Sequence, residues 1–292
     1  MPVRTPLPDM ADRLTPARRV PPDQAHGLRQ IFAGQAGPWL LPVAANPHVA
    51  CSALVLDGTA AALARHGQRV LVVDAAGNAP AADERAALDL AACVEPIAPG
   101  VAYLPARGLP RAHVDTRGNA AALVDALVQA VPQATVLLLH ADAGDLGRML
   151  QRRALRPVLL AADQAESLQH AYGSAKLLAR RGQFLTCDLL LCGPLAPARA
   201  GRLRETLATC LEHFLGVVLQ DSAVVEPAAP QASEDLLRLL AGQQQLQQGD
   251  GRAARPSGAW EDFSAISSGV MHRVPRPDLP IPHPQARGPR QA

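Results

Sequence analysis

Lysine is almost missing: the chain has one, Lys176, among 28 lysines and arginines in 292 residues. Aromatic side chains are nearly as scarce, at 3%. No apolar run approaches the ~18 residues of a membrane span, and the N-terminus has no apolar stretch of the export-signal kind. The charge balance is close to even, at +2, and has none of the basic excess that nucleic-acid binding requires. Five cysteines, Cys51, Cys93, Cys187, Cys192 and Cys210, show no CxxC spacing. That excludes a compact metal knuckle and points to reduced core thiols in a cytoplasmic protein.

What the chain does have is a strand–helix rhythm, clearest over residues 40–74. An apolar run ends near Ala45, residues 46–50 form a loop, and an alanine- and leucine-rich helix over residues 51–66 stops at Gly67. A second apolar run ends on Asp74. This is a βαβ unit, and its first loop belongs over a helix N-terminus at the carboxyl edge of a parallel sheet. Phosphates bind there when glycines let amide groups converge and a lysine supplies charge. Residues 46–53 contain no glycine and no lysine, and Pro47 removes a donor. The cradle is missing from the frame.

The rhythm continues. Helices are expected over residues 83–92, 118–130, 146–153, 165–181 and 197–214. Strands are expected over residues 101–104, 135–140, 158–161, 187–192 and 217–220. Near-continuous apolar strands between helices predict a three-layer α/β domain, a mostly parallel sheet covered on both faces, over residues 38–242. Ser233 caps a closing helix that Gly242 ends. Residues 1–22 read as a disordered arm, and residues 243–292 as a tail rich in Pro, Gly and Gln. Residues 23–34 read as a short amphipathic helix, with Ala25, Leu28, Ile31 and Phe32 on one face. An isolated helix this short does not hold itself in water, so it docks on its own domain or folds on a partner. An amphipathic island at residues 258–274 carries Trp260 and Phe263, whose neighbours Glu261 and Asp262 suit a protein groove better than an anionic bilayer. His140, Asp142 and Asp145 cluster at a strand end, where solvated loop acids are the plainer reading than a metal or hydrolytic site.

Several segments together resemble the MinD/ParA family of deviant-Walker ATPases, and within it the flagellar-number regulators (FlhG). Asp23-Gln24-Ala25-His26-Gly27-Leu28-Arg29 matches that branch's DQAxxLR motif. The run from Gly67 to Asp74 is similar to the family's strand ending in aspartate. Residues 158–181 resemble a later strand and helix, and Phe214-Leu215-Gly216-Val217 a late turn. The resemblance implies a P-loop NTPase-like fold of the MinD type. The departures fall on the chemistry. The register anchored on Gly67 puts Pro47 at the signature lysine, Ser52 at the P-loop lysine and Ala53 at the magnesium-binding threonine. Asp74 keeps the first switch acid, Ala76 replaces the second, and His140 stands where the family has its Walker-B acid. With these positions changed, the resemblance implies a protein without ATP hydrolysis and without a cofactor, and no ATP-closed dimer.

The resemblance also implies a partner: a signal-recognition-type flagellar GTPase, FlhF-like, contacted by Asp23, Gln24, Ala25, Leu28, Arg29 and Phe32. Gln24 would order the attacking water in the partner's site, which is sound phosphoryl-transfer chemistry. Other flagellar components are further candidate partners. Nucleic acid is not expected, and membrane contact is at most indirect. Two other readings stay open: a weak ATP-binding switch, and an accessory of another machine such as cellulose secretion or chromosome partition.

Overall fold

The central expected strands are runs of Leu, Val and Ala too apolar to face water on either side, and the chain stacks the strands into one sheet. The computed structural model describes residues 37–151, 153–229 and 231–253. The segment 23–34, with Asp23, Gln24, Ala25, Leu28, Arg29 and Phe32, lies outside these residues, as does the island with Trp260 and Phe263.

Strand β1 (Trp39–Ala44) leads through the loop at Asn46 into helix α1 (Ser52–Arg65) and back to β2 (Val70–Asp74). Strands β3 (Glu95–Ala98) and β4 (Val101–Pro105) form a hairpin, followed by helices α2 (Leu109–Ala112) and α3 (Ala121–Ala130). Then come β5 (Val136–Ala141), α4 (Ala143–Met149), β6 (Val158–Ala162), α5 (Ala165–Gly182), β7 (Thr186–Cys192), α6 (Pro197–Leu215), β8 (Val218–Val225) and α7 (Glu234–Ala253). The sheet has eight strands in the order β3-β4-β2-β5-β1-β6-β7-β8. Only β3 runs antiparallel, on β4.

The two-residue period of a strand divides the core. Leu40 and Ala44 of β1, with Leu137 and Leu139 of β5, face α3, α4, α5 and α6. Leu41 and Val43, with Val136 and Leu138, face α1 and α7. All residues of β1 and β5 are buried. β1 is where the strand order reverses: the chain first builds β2 and β4 to one side, then β6, β7 and β8 to the other. The carboxyl end of β1 therefore opens a crevice, the usual ligand position in such sheets.

Three expectations change. Residues 83–92 are not an α-helix but two 3₁₀ turns, Glu84–Ala87 and Ala91–Cys93. Asp83 accepts from the Arg85 amide at 2.8 Å, and Asp89 from the Ala92 amide at 3.2 Å. Such short-range bonds compete with a continuous helix. Strand β3 was not expected; it is fully exposed and bulged, so it carries no apolar alternation. The closing helix begins at the Ser233 cap, whose Oγ accepts from the Leu236 amide at 3.2 Å, but it runs past Gly242 into the glutamine cluster.

That continuation belongs to the core. Gln243 is 0% exposed and donates to the Arg156 carbonyl and to Asp188 Oδ2, each at 2.7 Å. Asp188, also fully buried, accepts from the Asp221 amide at 3.0 Å and faces the Arg156 guanidinium at 3.3 Å. Burial pushes the Asp188 carboxyl above its ordinary range, while Arg156 and Gln243 pull it back. Gln247 accepts from the Leu40 amide and donates to the Leu40 carbonyl, each at 2.8 Å. β6 pairs with β1 only at Val43 and Ala44, so this side-chain amide replaces a missing strand partner at the start of β1. Among the described residues, no helix is long and apolar enough to cross a membrane.

Candidate functional site

The loop after β1 is folded by its own asparagine. Asn46, 3% exposed, donates through Nδ2 to the Leu160 carbonyl at 2.8 Å, the Ser167 carbonyl at 2.9 Å and Ser167 Oγ at 3.1 Å. Ser167 Oγ in turn accepts from the Ala162 amide at 2.9 Å. The loop is thereby tied to β6 and to the first turn of α5. Three of its amides are used inside it: His48 donates to Asn46 Oδ1 at 3.1 Å, Val49 to the Asn46 carbonyl at 3.0 Å, and Ser52 to the Val49 carbonyl at 3.1 Å. Pro47 has no amide hydrogen. Pro47 and Ala53 lie exposed, whereas the Ser52 side chain is buried.

Beside this loop, at the ends of β2 and β5, stand Asp74 and His140. His140 is 2% exposed, and its Nδ1 lies 2.8 Å from Asp74 Oδ1. Tyr103, on β4, donates its hydroxyl to Asp74 Oδ2 at 3.4 Å. Burial, and then the Asp74 carboxylate, push the Tyr103 hydroxyl up to about 12. The Ala76 amide also reaches Asp74 Oδ1, at 3.3 Å. Asp74 is thus engaged by three neighbours, from β5, from β4 and from the turn that follows it. His140 Nε2 is buried and has no partner among the described residues. Ala76 is 0% exposed and packs with Ala45 and Ala79 in a small apolar cluster of its own.

The strand-end trio does not form one site. His140 pairs with Asp74, Asp145 pairs with Arg148 and Arg111, and Asp142 lines an open pocket of about 540 Å³ with His48, Glu166 and His170. The His48 and His170 rings meet edge-on with centroids 5.9 Å apart. His170 Nε2 is bonded to the Ala45 carbonyl at 3.2 Å. Among the described residues, no group of three His, Cys, Asp or Glu side chains is arranged to hold a metal ion.

The cysteine expectation is corrected at this edge. Cys51, at the start of α1, and Cys192, at the end of β7, form a disulfide across 141 residues of sequence. Both positions lie at the carboxyl edge of the sheet, which sequence spacing does not reveal. Cys93, Cys187 and Cys210 are free thiols, and burial pushes Cys187 up to about 12. Sequence reading also missed Asn46, Ser167 and Tyr103. An asparagine directly after a buried strand was the available signal for the first; nothing local marked the other two.

A plasmid partition protein from Borrelia burgdorferi superimposes on this chain with a TM-score of 0.51. The chain shares that protein's fold. Identity is 10%, and the match covers 70% of this chain and 99% of that one. MinD from Aquifex aeolicus aligns at a TM-score of 0.44 and 12% identity, over 77% of this chain and 100% of that one. A ParA family ATPase from Chlorobium tepidum TLS aligns at 0.43 and 13%, over 74% and 93%. No family model matches the sequence, and no curated protein does.

Proposed function

We propose that the chain is a non-hydrolysing regulator of the MinD/ParA type, close to the flagellar-number regulators, and that it works through protein contacts. The observation that carries this reading is the loop after β1. Its His48, Val49 and Ser52 amides are turned to acceptors within the loop, so they do not converge on an anion. The lone lysine, Lys176, belongs to α5. Asp74, which would face a magnesium site, is instead bonded to His140 and Tyr103. ATP and magnesium do not fit these residues.

Function then rests on surfaces, and the DQAxxLR segment is the one with a stated chemistry. Gln24 would position the attacking water in the site of a signal-recognition-type GTPase, with Leu28 and Phe32 as anchors. A peptide covering residues 21–34 is expected to raise the hydrolysis rate of such a GTPase by at least ~10-fold, and Gln24→Ala to abolish the effect. No stimulation, or stimulation that survives the substitution, refutes the partner. A fluorescent ATP analogue with magnesium tests the other half. Magnesium-dependent binding at roughly micromolar Kd, about −8 kcal/mol, would instead make the chain an ATP switch.

A further inference from the structure

The five cysteines divide between the two faces of the sheet. Cys93 and Cys187 are buried in the core that α3 to α6 cover, and Cys210 lines an apolar cavity of about 430 Å³ on that side, next to Leu207. Cys51 and Cys192 belong to the core under α1 and α7, and there they are bonded to each other. Cys187 and Cys192 share β7, but an odd spacing sends their side chains to opposite faces. The sheet therefore separates the three free thiols from the bond. A thiol that opens it comes from outside the chain.

We propose that Cys51 and Cys192 are a thiol–disulfide exchange site, open to a small thiol of the glutathione kind, with Cys51 as the sulfur that reacts. Three observations carry this. The first is access: Cys51 is partly exposed, whereas Cys192 is 4% exposed. The second is the setting of Cys51. It is the N-cap of α1, a helix of 14 residues whose first turn holds no acidic side chain. The Ala53 and Leu54 amides, at the second and third helical positions, have no acceptor among the described residues. Those are the amides that a capping atom accepts from. Together with the helix dipole they favour a negatively charged sulfur, which is the reactive form. The third is that the fold does not hang on the bond. β7 is paired on both sides, with β6 and β8. Val55, Leu56 and Leu63 seat α1 on the sheet, and Asn46 fastens the loop before Cys51 to β6 and α5. Both redox states keep these contacts.

Oxidation takes two exchanges. The Cys51 thiolate attacks glutathione disulfide, a bond forms from Cys51 Sγ to one glutathione sulfur, and the other glutathione leaves as a thiolate. Cys192 then gives its proton to solvent and attacks Cys51 Sγ. The Cys51–Cys192 bond forms and the second glutathione leaves. The departing thiolates take up protons, so two protein thiols are oxidised while one disulfide is reduced to two small thiols. Reduction is the reverse and begins at Cys51. The bond ties the start of α1 to the end of β7 beside the crevice. Opening it frees that tie and places an anionic sulfur against two unpaired amides. The inference goes beyond the proposed function and does not rest on it.

The full chain, carrying Cys210→Ser to remove the one partly exposed free thiol, tests the proposal. Reduced glutathione under native conditions should expose two thiols to a maleimide mass tag, and glutathione disulfide should hide them again. Circular dichroism should show a folded chain that melts cooperatively in both states. With Cys192→Ser added, glutathione disulfide should leave one glutathione on Cys51, roughly tenfold faster than Cys51→Ser acquires one on Cys192. Ala53→Glu, at an exposed position, should slow the Cys51 adduct about threefold by setting a carboxylate at the same helix end. A bond that yields to glutathione only after the chain is unfolded is a structural cross-link and overturns the proposal. A chain that unfolds on reduction overturns it too, as does equal reactivity of Cys51 and Cys192.

Discussion

Ending the chain after residue 242, where its composition changes, should nearly unfold it, whereas ending it after residue 253 should not. The first cut removes Gln243 and Gln247 with the second half of α7. Gln243's bond to the buried Asp188 carboxylate is of the charged kind, about 1.5–3 kcal/mol, and its bond to the Arg156 carbonyl adds about 1 kcal/mol. Gln247's two bonds to Leu40 contribute about 1 kcal/mol each. The loss is therefore about 5 kcal/mol, comparable with the lower end of total domain stability, roughly 5–15 kcal/mol. In urea, with a slope near ~2.5 kcal/mol per molar, the midpoint should fall by about 2 M. Gln247→Ala alone should lower it by about 0.8 M, from a loss near 2 kcal/mol. Gln245→Ala, at an exposed position of the same helix, should stay within ~0.5 kcal/mol of wild type. If the chain ended at 242 melts with the one ended at 253, the glutamine contacts contribute nothing and the reasoning fails.

Asn46→Ala leaves the Leu160 and Ser167 carbonyls without their donor and should lower stability by about 2–3 kcal/mol, seen as a Tm drop of about 6 °C; an unchanged melt would show that water replaces the amide. Gly182→Ala would drive a β-carbon into the ring of Phe184, which is 5% exposed, and should destabilise by about 1–3 kcal/mol, with Phe184→Leu restoring part of the loss in a thermal melt. The raised carboxyl of Asp188 binds its proton more tightly folded than unfolded. Its contribution to stability is therefore full below the ordinary 3.8 and is lost as pH rises through the higher folded value. Asp188→Asn should remove that component, so the stability difference between wild type and variant should change with pH from about 4 upward in the direction that disfavours wild type; parallel urea curves at all pH values would contradict it.

The βαβ opening was legible because its strands are continuous apolar runs and Gly67, at φ 77°, ends α1 where a left-handed residue is needed. The parallel core strands followed from the same composition. β3 was not legible, since Glu95-Pro96-Ile97-Ala98 buries nothing. The second half of α7 was missed because glutamine signals a polar tail, while Gln243 and Gln247 act through long-range bonds to Asp188, Arg156 and Leu40. At the crevice, Pro47, Ser52 and Ala53 lie in the loop and first turn after β1, Asp74 and His140 at the ends of β2 and β5, and Ala76 in the turn after β2. Their partners were not legible: Tyr103 meets Asp74 only through the pairing of β4 with β2, and Cys192 meets Cys51 only because β7 ends at the same edge.

The Cys51–Cys192 bond makes a covalent ring of the chain between them, and β2 through β6 all lie within it. A protease that cuts any surface turn inside the ring opens a circle and releases nothing. The nicked protein should migrate as one piece on a gel until a reducing agent is added, and only then part into two fragments.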